Sequence, residues 1–484
     1  MKKIFKKTWN WIDDRSGLSE AILPMAKHPV PPGSGWWYVF GSGTAFCLSL
    51  QVVTGICLAL LYQPSSGTAY QSLKFINNFP LGHFLRNLHF FGASGMILLM
   101  GIHMIRVFIM ASYKYPREMH WITGVILLLL TVMMGFTGQM LRWDADGIWA
   151  AVVAAEQAGR IPFIGKFLAR FLIGGSTVGG ETLSRFYAFH VFFIPAILFL
   201  FVGFHIYLVL RNGISEPPER DRPVIPGKYR EWYENMLERK GVPFFPDAAW
   251  RDVVFSFLVL VAIILLAIFA AAPKLGGPPD PTAIDVVPRP DWYLTWIFAL
   301  YALMPFGIED YVIVLGPLVV GAILLSIPFL ANKGERSPMK RPWSVAGVAM
   351  VVTFIGAFWI MGHKSPWSPK FTTKPLPATI VPKGNAAAKR GVKLFYTEGC
   401  QYCHSIGGRG GHKGPDLTYI GDRLTPREMR VRIINGGHQQ GGMPAFGPTI
   451  SNNQLHDIVA FLQTRKQGIV RKLQVVKKSG GEDK

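Results

Sequence analysis

Long apolar runs separated by short polar segments dominate the first 365 residues of this 484-residue chain. Seven of the runs come close to the length of about 20 residues that an α-helix needs to cross a bilayer. They cover residues 36–62, 83–112, 120–141, 186–211, 252–272, 309–331 and 343–362. The pattern therefore predicts an all-α fold, a polytopic transmembrane helical bundle of about seven spans.

The polar segments between and after these runs divide the chain further. Residues 1–35 form an amphipathic lead, and residues 142–185 are typical of short helices at a membrane surface. Residues 212–250 are charged and rich in proline, which predicts a linker on the cytoplasmic side. Five prolines within 364–383 predict a semi-stiff spacer. Residues 384–484 have the composition of a soluble domain.

Basic residues are distributed unevenly along the chain, whose formal net charge is +21. Lysine and arginine concentrate in alternate loops between the predicted spans, at 2–7, 114–117, 211–240 and 333–341. Cytoplasmic loops of membrane proteins carry such an excess, which predicts that the N-terminus lies in the cytoplasm. Seven crossings then place the C-terminus on the outer face. This distribution argues for membrane lipid, and against nucleic acid, as a partner.

The motif Cys400-Gln-Tyr-Cys403-His404 stands in the C-terminal part of the chain. A Cys-x-x-Cys-His motif is typical of covalent haem c attachment, in which both thiols form thioethers and the histidine becomes an axial iron ligand. Cys47 and Cys57 lie in the first apolar run and are interpreted as packing residues. The sequence contains no cysteine-rich iron–sulfur motif, so any such cluster must come from another subunit.

Two of the apolar runs each contain a pair of histidines. His89 and His103 are 14 residues apart, and His190 and His205 are 15 residues apart. At about 100° per residue these spacings end near −40° and +60°, so each pair stays on broadly one helix face. Two adjacent antiparallel helices would then offer two cross-helix imidazole pairs, each able to hold one haem b iron. The alternative is four hydrogen-bonded interior histidines, although ionisable groups inside membranes are usually functional.

Two further groups of residues support haem sites. Glycines in the first and third runs repeat the 14-residue spacing, and glycine removes bulk where a flat macrocycle approaches the backbone. Ordinary packing of membrane helices is the alternative. These glycines are Gly41 with Gly55 and Gly124 with Gly138. Arginines near the run ends could pair with haem propionates or serve as snorkelling anchors. They are Arg86, Arg106 and Arg185.

Several stretches of the chain resemble cytochrome b of the quinol–cytochrome c reductases, in its split form of cytochrome b6 plus subunit IV. They are Trp121-Ile-Thr-Gly124, Gly135-Phe-Thr-Gly138, Arg185-Phe-Tyr-Ala-Phe-His190, Gly213-Ile-Ser215 and Pro290-Asp-Trp-Tyr293. The resemblance covers residues 1 to about 365. It implies a b6-like four-helix domain at 1–215 and a subunit IV-like three-helix domain at 216–365. As in bacterial menaquinol-type fusions, a Pro-rich linker at 366–383 and a cytochrome c domain at 384–484 follow.

The resemblance also implies how the histidines pair. In this family the outer histidines of the two helices share one haem and the inner histidines share the other. We therefore expect His89 with His190 near the outer face, and His103 with His205 near the cytoplasm. Some relatives hold a further haem through a cysteine in the first span. Val39 takes that position here, so a covalently attached third membrane haem is not expected.

Two quinone sites follow from the resemblance. Pro290-Asp-Trp-Tyr293 is similar to the family's Pro-Glu-Trp-Tyr signature at the outer site of quinol oxidation. Asp291 replaces the glutamate but can also accept a proton from a hydroquinone hydroxyl, and Tyr293 could position the ring. A polar turn at the membrane surface is the alternative. For the inner quinone site the chain offers three candidates, each of which could instead be structural or solvated. They are Asp13, Asp14 and Arg211.

The C-terminal domain resembles a class I cytochrome c. The stretches that carry this resemblance are residues 391–404, 414–417 and 442–446. Met443 follows His404 by about 40 residues, which suits a loop that folds back over the haem, and it is the expected second axial ligand. Met429 is the nearby competitor. Residues 384–484 carry a net charge of +9, from 16 Lys and Arg and 7 Asp and Glu. This favours docking to an acidic carrier or oxidase, with a membrane-surface role as the rival.

Together these resemblances imply a cytochrome b/c subunit of a bacterial cytochrome bc complex, a quinol–cytochrome c oxidoreductase. Quinol, expected to be menaquinol, would be oxidised at the outer face of the bacterial inner membrane. One electron would pass to a Rieske-type iron–sulfur protein and then to the periplasmic c haem. The other would pass through two b haems toward an inner quinone, with protons moved outward. A cytochrome c or terminal oxidase would accept electrons from this homodimeric complex.

Two other functions compete with this interpretation. A non-catalytic haem conduit would merely connect another membrane enzyme to an acceptor, and the Pro-Asp-Trp-Tyr signature argues against it. A transporter with structural haem has no support beyond the number of spans.

Overall fold

The computed structural model describes residues 2–175, 177–270, 272–280, 287, 289–305, 308–436, 443–471 and 473. The helices are α1 (Lys2–Ser16), α2 (Leu18–Ala26), α3 (Phe40–Ala59), α4 (Ala69–Asn78), α5 (Pro80–Ile109), α6 (Glu118–Met140), α7 (Ala145–Gly159), α8 (Gly165–Ile173), α9 (Gly180–Ala188), α10 (Ile194–Asn212), α11 (Tyr229–Lys240), α12 (Ala249–Phe269), α13 (Thr295–Ala302), α14 (Glu309–Leu330), α15 (Pro342–Lys364), α16 (Ala386–Thr397), α17 (Cys400–Cys403), α18 (Ile420–Arg423), α19 (Pro426–Asn435) and α20 (Asn452–Gln463). Two small antiparallel sheets pair β1 (Pro29–Val30) with β2 (Val242–Pro243) and β3 (Ser405–Ile406) with β4 (Arg409–Gly410).

Seven helical segments of the described chain are long and apolar enough to cross a membrane. They are Phe40–Ala59, Pro80–Ile109, Glu118–Met140, Gly180–Asn212, Phe244–Phe269, Glu309–Leu330 and Pro342–Lys364. Each overlaps one of the seven apolar runs, so the predicted all-α polytopic bundle is confirmed. The fourth segment begins earlier than expected because α9 continues into α10 through a π-helical turn, Phe189–Phe193.

The chain divides into two compact units, and the larger contains Met1–Ala283, Pro288–Tyr293 and Asp310–Ile355. Within it, α5 packs along α3 and α12, and α10 packs along α6. Cys47 is fully buried between α3, α5 and α12, in the packing role predicted for it.

Asp144 joins three segments of this larger unit. Its side chain accepts a hydrogen bond from the Gly147 amide (2.9 Å), which caps the N-terminus of α7. It also accepts from the Gly276 amide (2.8 Å) and pairs with Arg142 (2.5 Å). These bonds hold the loop after α12 against the end of α6.

The two polar segments 142–185 and 212–250, which lie between predicted spans, both contain helices. The segment 142–185 forms α7 and α8, as expected for short helices. The segment 212–250, predicted to be a linker on the cytoplasmic side, contains the helix α11. The Tyr229 hydroxyl donates to Glu216 (2.5 Å) and the Tyr233 hydroxyl to the Ile214 carbonyl (2.7 Å). Local sequence could not reveal these partners, which fasten one face of α11.

The second unit contains Ile284–Val287, Leu294–Glu309 and Gly356–Lys484. In its C-terminal domain α16 crosses α20 at Gly391, whose missing side chain lets the backbone approach the Asp457 carbonyl. Arg390 donates to both oxygens of the Asp457 carboxylate (2.7 and 2.8 Å) and ties the same two helices together.

The Pro-rich segment 364–383 lies against this domain. Leu376 and Val381 are buried in its apolar core, with 4% and 3% of their surface exposed. The Lys370 amide donates to the Tyr402 carbonyl (2.8 Å), and the Gln401 side chain donates to the Lys374 carbonyl (2.7 Å). The segment therefore packs beside the Cys-x-x-Cys-His motif instead of only connecting two domains. The exact domain boundaries stay predictions.

Candidate functional site

His89 on α5 and His190 in the π-helical turn face each other, with ring centroids 6.3 Å apart. Two imidazoles on opposite sides of one metal ion have centres about 6 Å apart, because each metal–nitrogen bond measures about 2 Å and each ring centre lies about 1 Å behind its nitrogen. The separation of these two rings therefore fits a shared iron atom, and the ring centroids of His120 and His205 have a similar separation, 6.0 Å.

The π-helical turn explains how a 15-residue spacing can serve the same purpose as a 14-residue one. A π turn forms i→i+5 hydrogen bonds and accommodates one residue more than an α turn. Because the turn Phe189–Phe193 contains His190, it absorbs the extra residue. His205 consequently returns close to the −40° position instead of the +60° position expected for a regular helix.

The inner histidines, His103 and His205, line a single cavity that Gly124 and Arg106 also line. His89 thus lies with His190, and His103 lies with His205. Each pair joins histidines at the same position in their two segments, which requires α5 and α10 to run in the same direction. The expectation of antiparallel helices was wrong, because α6 lies between them in the chain and the direction reverses twice.

The cavity includes one imidazole that sequence analysis missed, His120, whose signal was its position four residues before Gly124.

Each of the four predicted glycines lies against one of the four histidine rings. A Cβ atom would lie at the following distances from the facing Cε1 atoms: Gly41 to His103, 3.1 Å; Gly55 to His89, 3.2 Å; Gly124 to His205, 3.9 Å; and Gly138 to His190, 2.8 Å. At the shortest of these a methyl group would clash with the ring. Gly41, Gly55 and Gly138 therefore make room for the imidazoles themselves, whereas a Cβ atom on Gly124 would make ordinary van der Waals contact with its ring.

Three threonines that directly precede these glycines set the orientation of the facing rings. Their hydroxyls contact histidine Nδ1 atoms as follows: Thr54 with His89, 2.9 Å; Thr123 with His205, 2.7 Å; and Thr137 with His190, 3.1 Å. Each hydroxyl donates its one proton to a backbone carbonyl four residues earlier. It must therefore accept from Nδ1–H, which leaves the Nε2 lone pair available to bind a metal. Sequence analysis missed these residues, although the repeated Thr-Gly pair was a visible signal.

We expect Thr137→Val to weaken retention of one haem b by about 10- to 100-fold, because the valine no longer fixes the ring or the tautomer of His190. The measurement is haem transfer from the purified protein to excess apomyoglobin. Thr137→Ser, which keeps the hydroxyl, is the matched control. Equal haem loss from the valine and serine variants would contradict this role.

Arg106 offers an unsatisfied cation to the inner cavity. It is 8% exposed, and among the described residues its Nε and Nη2 atoms have no hydrogen-bond partner. Its Nη1 atom donates to the Ser112 hydroxyl (3.4 Å), and its guanidinium lies 3.7 Å from the Tyr38 ring centroid. A buried cation without a counter-ion is costly, so an anionic group such as a haem propionate fits this position.

Of the other two arginines, Arg86 has hydrogen-bond partners in the protein, whereas the buried Nη1 atom of Arg185 has none among the described residues. Arg86 donates to the Asn77 side chain (3.2 Å) and the Pro273 carbonyl (2.8 Å). The Arg185 guanidinium lies 5.5 Å from the Phe171 ring centroid. Their assignment to propionates stays a prediction.

The predicted quinol-oxidation residues lie beside the C-terminal part of α6. The Asp291 amide donates to the Gln139 side chain (3.4 Å), and a Cβ on Gly135 would lie 2.5 Å from the Tyr293 hydroxyl. Burial raises the pKa of Asp291 above its usual value; Arg142 opposes the shift, and neighbouring carboxylates add to it. Burial also raises the pKa of Tyr293, so its hydroxyl keeps its proton. The pair thus places a proton acceptor next to a neutral hydroxyl donor.

The inner-site candidates named from the sequence are not among the residues that line the inner cavity. Asp14 forms an exposed pair with Arg15, Asp13 accepts from the Ser19 amide (2.5 Å), and Arg211 donates to Tyr207 (3.1 Å). None of the three lines the cavity that contains His103 and His205.

The carboxylate of Asp252 lies closer to His103 through its contact with Ser42. Ser42 donates to Asp252 (2.6 Å), and Ser42 directly follows Gly41, the residue that faces His103. Sequence analysis missed this pair. The signal was a charged residue at the start of the fifth apolar run.

The histidine of the C-terminal motif, His404, is also held by a hydrogen bond at Nδ1. His404 Nδ1 lies 2.9 Å from the Pro415 carbonyl, which can only accept, so Nδ1 carries the proton and Nε2 is available to a metal. Burial lowers the pKa of His404, which favours the neutral ring. Cys400 and Cys403 form no disulfide and begin and end the short helix α17.

The structure separates the two candidate methionine ligands. Met429 is 2% exposed in the core, and its sulfur accepts from Gln463 (3.3 Å). Met443 is partly buried against the same core. Gly442, which precedes it in the predicted ligand loop, lies outside the described residues. Ligation by Met443 stays a prediction.

Comparison with known proteins identifies both parts of the chain. The family model described as Cytochrome b/b6/petB matches residues 25–213, and the one described as Cytochrome C oxidase, cbb3-type, subunit III matches residues 386–462. A chain of the solved structure "Hyperthermophilic respiratory Complex III" has a TM-score of 0.62 at 24% identity, over 73% of this chain and 91% of that one. The solved chain and this chain therefore share the same fold.

Two relatives extend this result. The menaquinol:cytochrome c reductase cytochrome b subunit of Geobacillus thermodenitrificans is 35% identical over 223 residues, 44% of this chain and 100% of the relative. The cytochrome bc complex cytochrome b subunit of Chlorobaculum thiosulfatiphilum is 29% identical over 349 residues, 71% of this chain and 78% of the relative. The chain therefore belongs to the cytochrome b/b6 family and carries a C-terminal cytochrome c domain, which together imply haem b and haem c as cofactors.

Proposed function

We propose that this chain is the quinol-oxidising cytochrome b/c subunit of a bacterial cytochrome bc complex, with two haem b and one haem c. The arrangement of His89 and His190, 6.3 Å apart and each oriented through Nδ1, is the observation that carries the proposal. The reductase names of the two relatives support the class of reaction. When bound, the haems supply one-electron carriers across the membrane and at its outer face.

The residues at the outer site are suited to removing protons from a quinol. The Asp291 carboxylate accepts a proton from a quinol hydroxyl, and its raised pKa brings its proton affinity closer to that of the substrate. The Tyr293 hydroxyl, which has no hydrogen-bond partner among the described residues, is available to orient the substrate ring. Arg142 stays close enough to stabilise the charged form of Asp291.

At the inner face, Asp252 and Ser42 are our candidates for binding a quinone and supplying protons to it. Their hydrogen bond keeps one carboxylate oxygen occupied while the other can serve a ligand. These residues replace Asp13, Asp14 and Arg211 as the stronger candidates, because Ser42 belongs to the helix that lies against His103.

The partners follow from what the chain itself lacks. A Rieske-type iron–sulfur protein supplies the cluster, since the sequence has no cysteine-rich motif for one. A cytochrome c or terminal oxidase accepts the electrons. The cytochrome c domain lies on the periplasmic side, and the complex is a homodimer in the membrane.

The function is tested by adding reduced menaquinone analogue to the purified complex and following reduction of the c haem. We expect rapid reduction that an outer-site quinol inhibitor blocks, and pyridine haemochromes in a ratio of two haem b to one haem c. Cys400→Ser should abolish most covalent haem staining after denaturing electrophoresis. Reduction that ignores the inhibitor would favour the non-catalytic conduit, and absence of extractable protohaem would refute the haem b sites.

A further inference from the structure

One side of α19 combines exposed cations with exposed apolar side chains. Arg427, Arg430, Val431 and Ile434 follow the spacing i, i+3, i+4, i+7, which puts them on one helix face. We call these four residues the α19 face. Val431 and Ile434 are 51% and 39% exposed, whereas Met429 and Ile433 on the opposite side are buried in the core. Isolated exposed aliphatic residues are common, but two of them flanked by cations form a mixed patch typical of protein interfaces.

The charges of the α19 face are not neutralised within the described part of the chain. Arg427 and Arg430 make no ion pair or hydrogen bond there, and the face includes no acidic residue. The one carboxylate of the helix, Glu428, accepts from the amide and hydroxyl of Thr425 (2.8 and 2.9 Å) in a capping box. Its charge therefore stabilises the helix N-terminus, and the arginines are left for an external anion.

The α19 face adjoins the segment that contains the predicted axial methionine. The Phe446 amide donates to the Ile433 carbonyl (3.0 Å), and the Gly447 amide donates to the Ile434 carbonyl (3.1 Å). Met443 and Phe446 pack on the same core as the buried side of α19. A protein seated on the α19 face would therefore contact the polypeptide next to the predicted haem ligand.

We propose that the α19 face docks an acidic electron-carrier protein that takes electrons from the cytochrome c domain. This inference rests on the proposed function. The net charge of +9 on residues 384–484 attracts such a partner and repels a second copy of this domain. Val431 and Ile434 form an apolar centre of the interface that becomes desolvated on docking, and the two arginines lie beside it. The α19 face has no Trp or Tyr of the kind that anchors proteins at a membrane interface.

The test uses the full-length complex with its c haem reduced by ascorbate. It is mixed in a stopped-flow instrument with oxidised plastocyanin, an acidic blue copper protein whose absorbance is distinct from that of haem. We expect Arg427→Glu with Arg430→Glu to lower the second-order rate constant about 10- to 100-fold at low ionic strength. The rates of variant and unaltered complex should converge as added salt screens the charges.

The matched control is Lys389→Glu with Lys393→Glu, the same charge change on exposed positions of α16. Equal slowing by both pairs would overturn the proposal, because only net charge would then matter. A loss of binding to anionic phosphatidylglycerol vesicles, with electron transfer unchanged, would instead identify a membrane contact and overturn it too. If the double variant fails to assemble, Arg430→Gln alone should slow the reaction about 3- to 10-fold. Failure of quinol to reduce the c haem in the unaltered complex would refute the proposed function separately.

Discussion

Asp291→Asn should lower the rate of quinol-driven c haem reduction by about 10²- to 10⁴-fold, the usual contribution of a positioned general base. Asparagine keeps the shape of the side chain but cannot accept the proton of a quinol hydroxyl. The measurement is the initial rate of c haem reduction by a menaquinol analogue. Asp291→Glu, which introduces the glutamate of the family's signature and keeps a carboxylate, is the matched control and should keep substantial activity. If the asparagine variant matched the unaltered protein, Asp291 would not be the proton acceptor.

The pH dependence provides an independent measurement on the same residue. Only the ionised carboxylate can accept a proton, and burial raises the pKa of Asp291. The rate should therefore fall as the pH drops through a value above the usual pKa of about 3.9 for aspartate. This acid limb should vanish from the residual activity of Asp291→Asn.

The raised pKa of Asp291 also predicts how Asp291→Asn changes stability, independently of its effect on activity. Because the pKa of Asp291 is raised in the folded state, the folded protein binds this proton more tightly than the unfolded chain does. The favourable contribution of the protonated group is present at low pH and is lost as pH rises through the folded value. At neutral pH the asparagine variant should consequently unfold at a temperature no lower than that of the unaltered protein.

His190→Leu should remove one of the two proposed haem b groups, because a single imidazole cannot replace the pair 6.3 Å apart. We expect the pyridine haemochrome ratio to fall from two haem b per haem c to about one, and one of two b components to disappear from a redox titration. Covalent haem c should be unchanged. His83→Leu, an exposed position on α5, is the matched control and should keep both haem b groups. An unchanged ratio in His190→Leu would exclude His190 as a ligand.

Much of the candidate site could be predicted because its signals are local. The haem c motif occupies five consecutive residues, and the four membrane histidines stand out because imidazoles are rare in apolar runs. The glycines could be found by their shared spacing, yet their contact with the imidazoles required the packing of α3 on α5 and of α6 on α10. The threonine hydroxyls were overlooked because threonine in a membrane helix usually bonds only its own backbone.

Other features depend on residues that are distant in the chain. Ser42 and Asp252 are 210 positions apart, so no local pattern could join them. The burial that raises the pKa of Asp291 likewise comes from the packing of its loop beside α6. The position of α11 likewise depends on hydrogen bonds from Tyr229 and Tyr233 to Glu216 and Ile214, which lie outside the helix.

The sequence by itself determined that seven apolar segments are long enough to cross a membrane, that a haem c motif follows them, and that two of the segments each contain a pair of histidines. These properties follow from composition and helical periodicity, which act over a few neighbouring residues. Only the tertiary structure decided that α5 and α10 run in the same direction, that a π-helical turn aligns His190 with His205, and that threonine hydroxyls orient three of the rings. These features arise from contacts between helices, and such contacts exist only after the chain has folded.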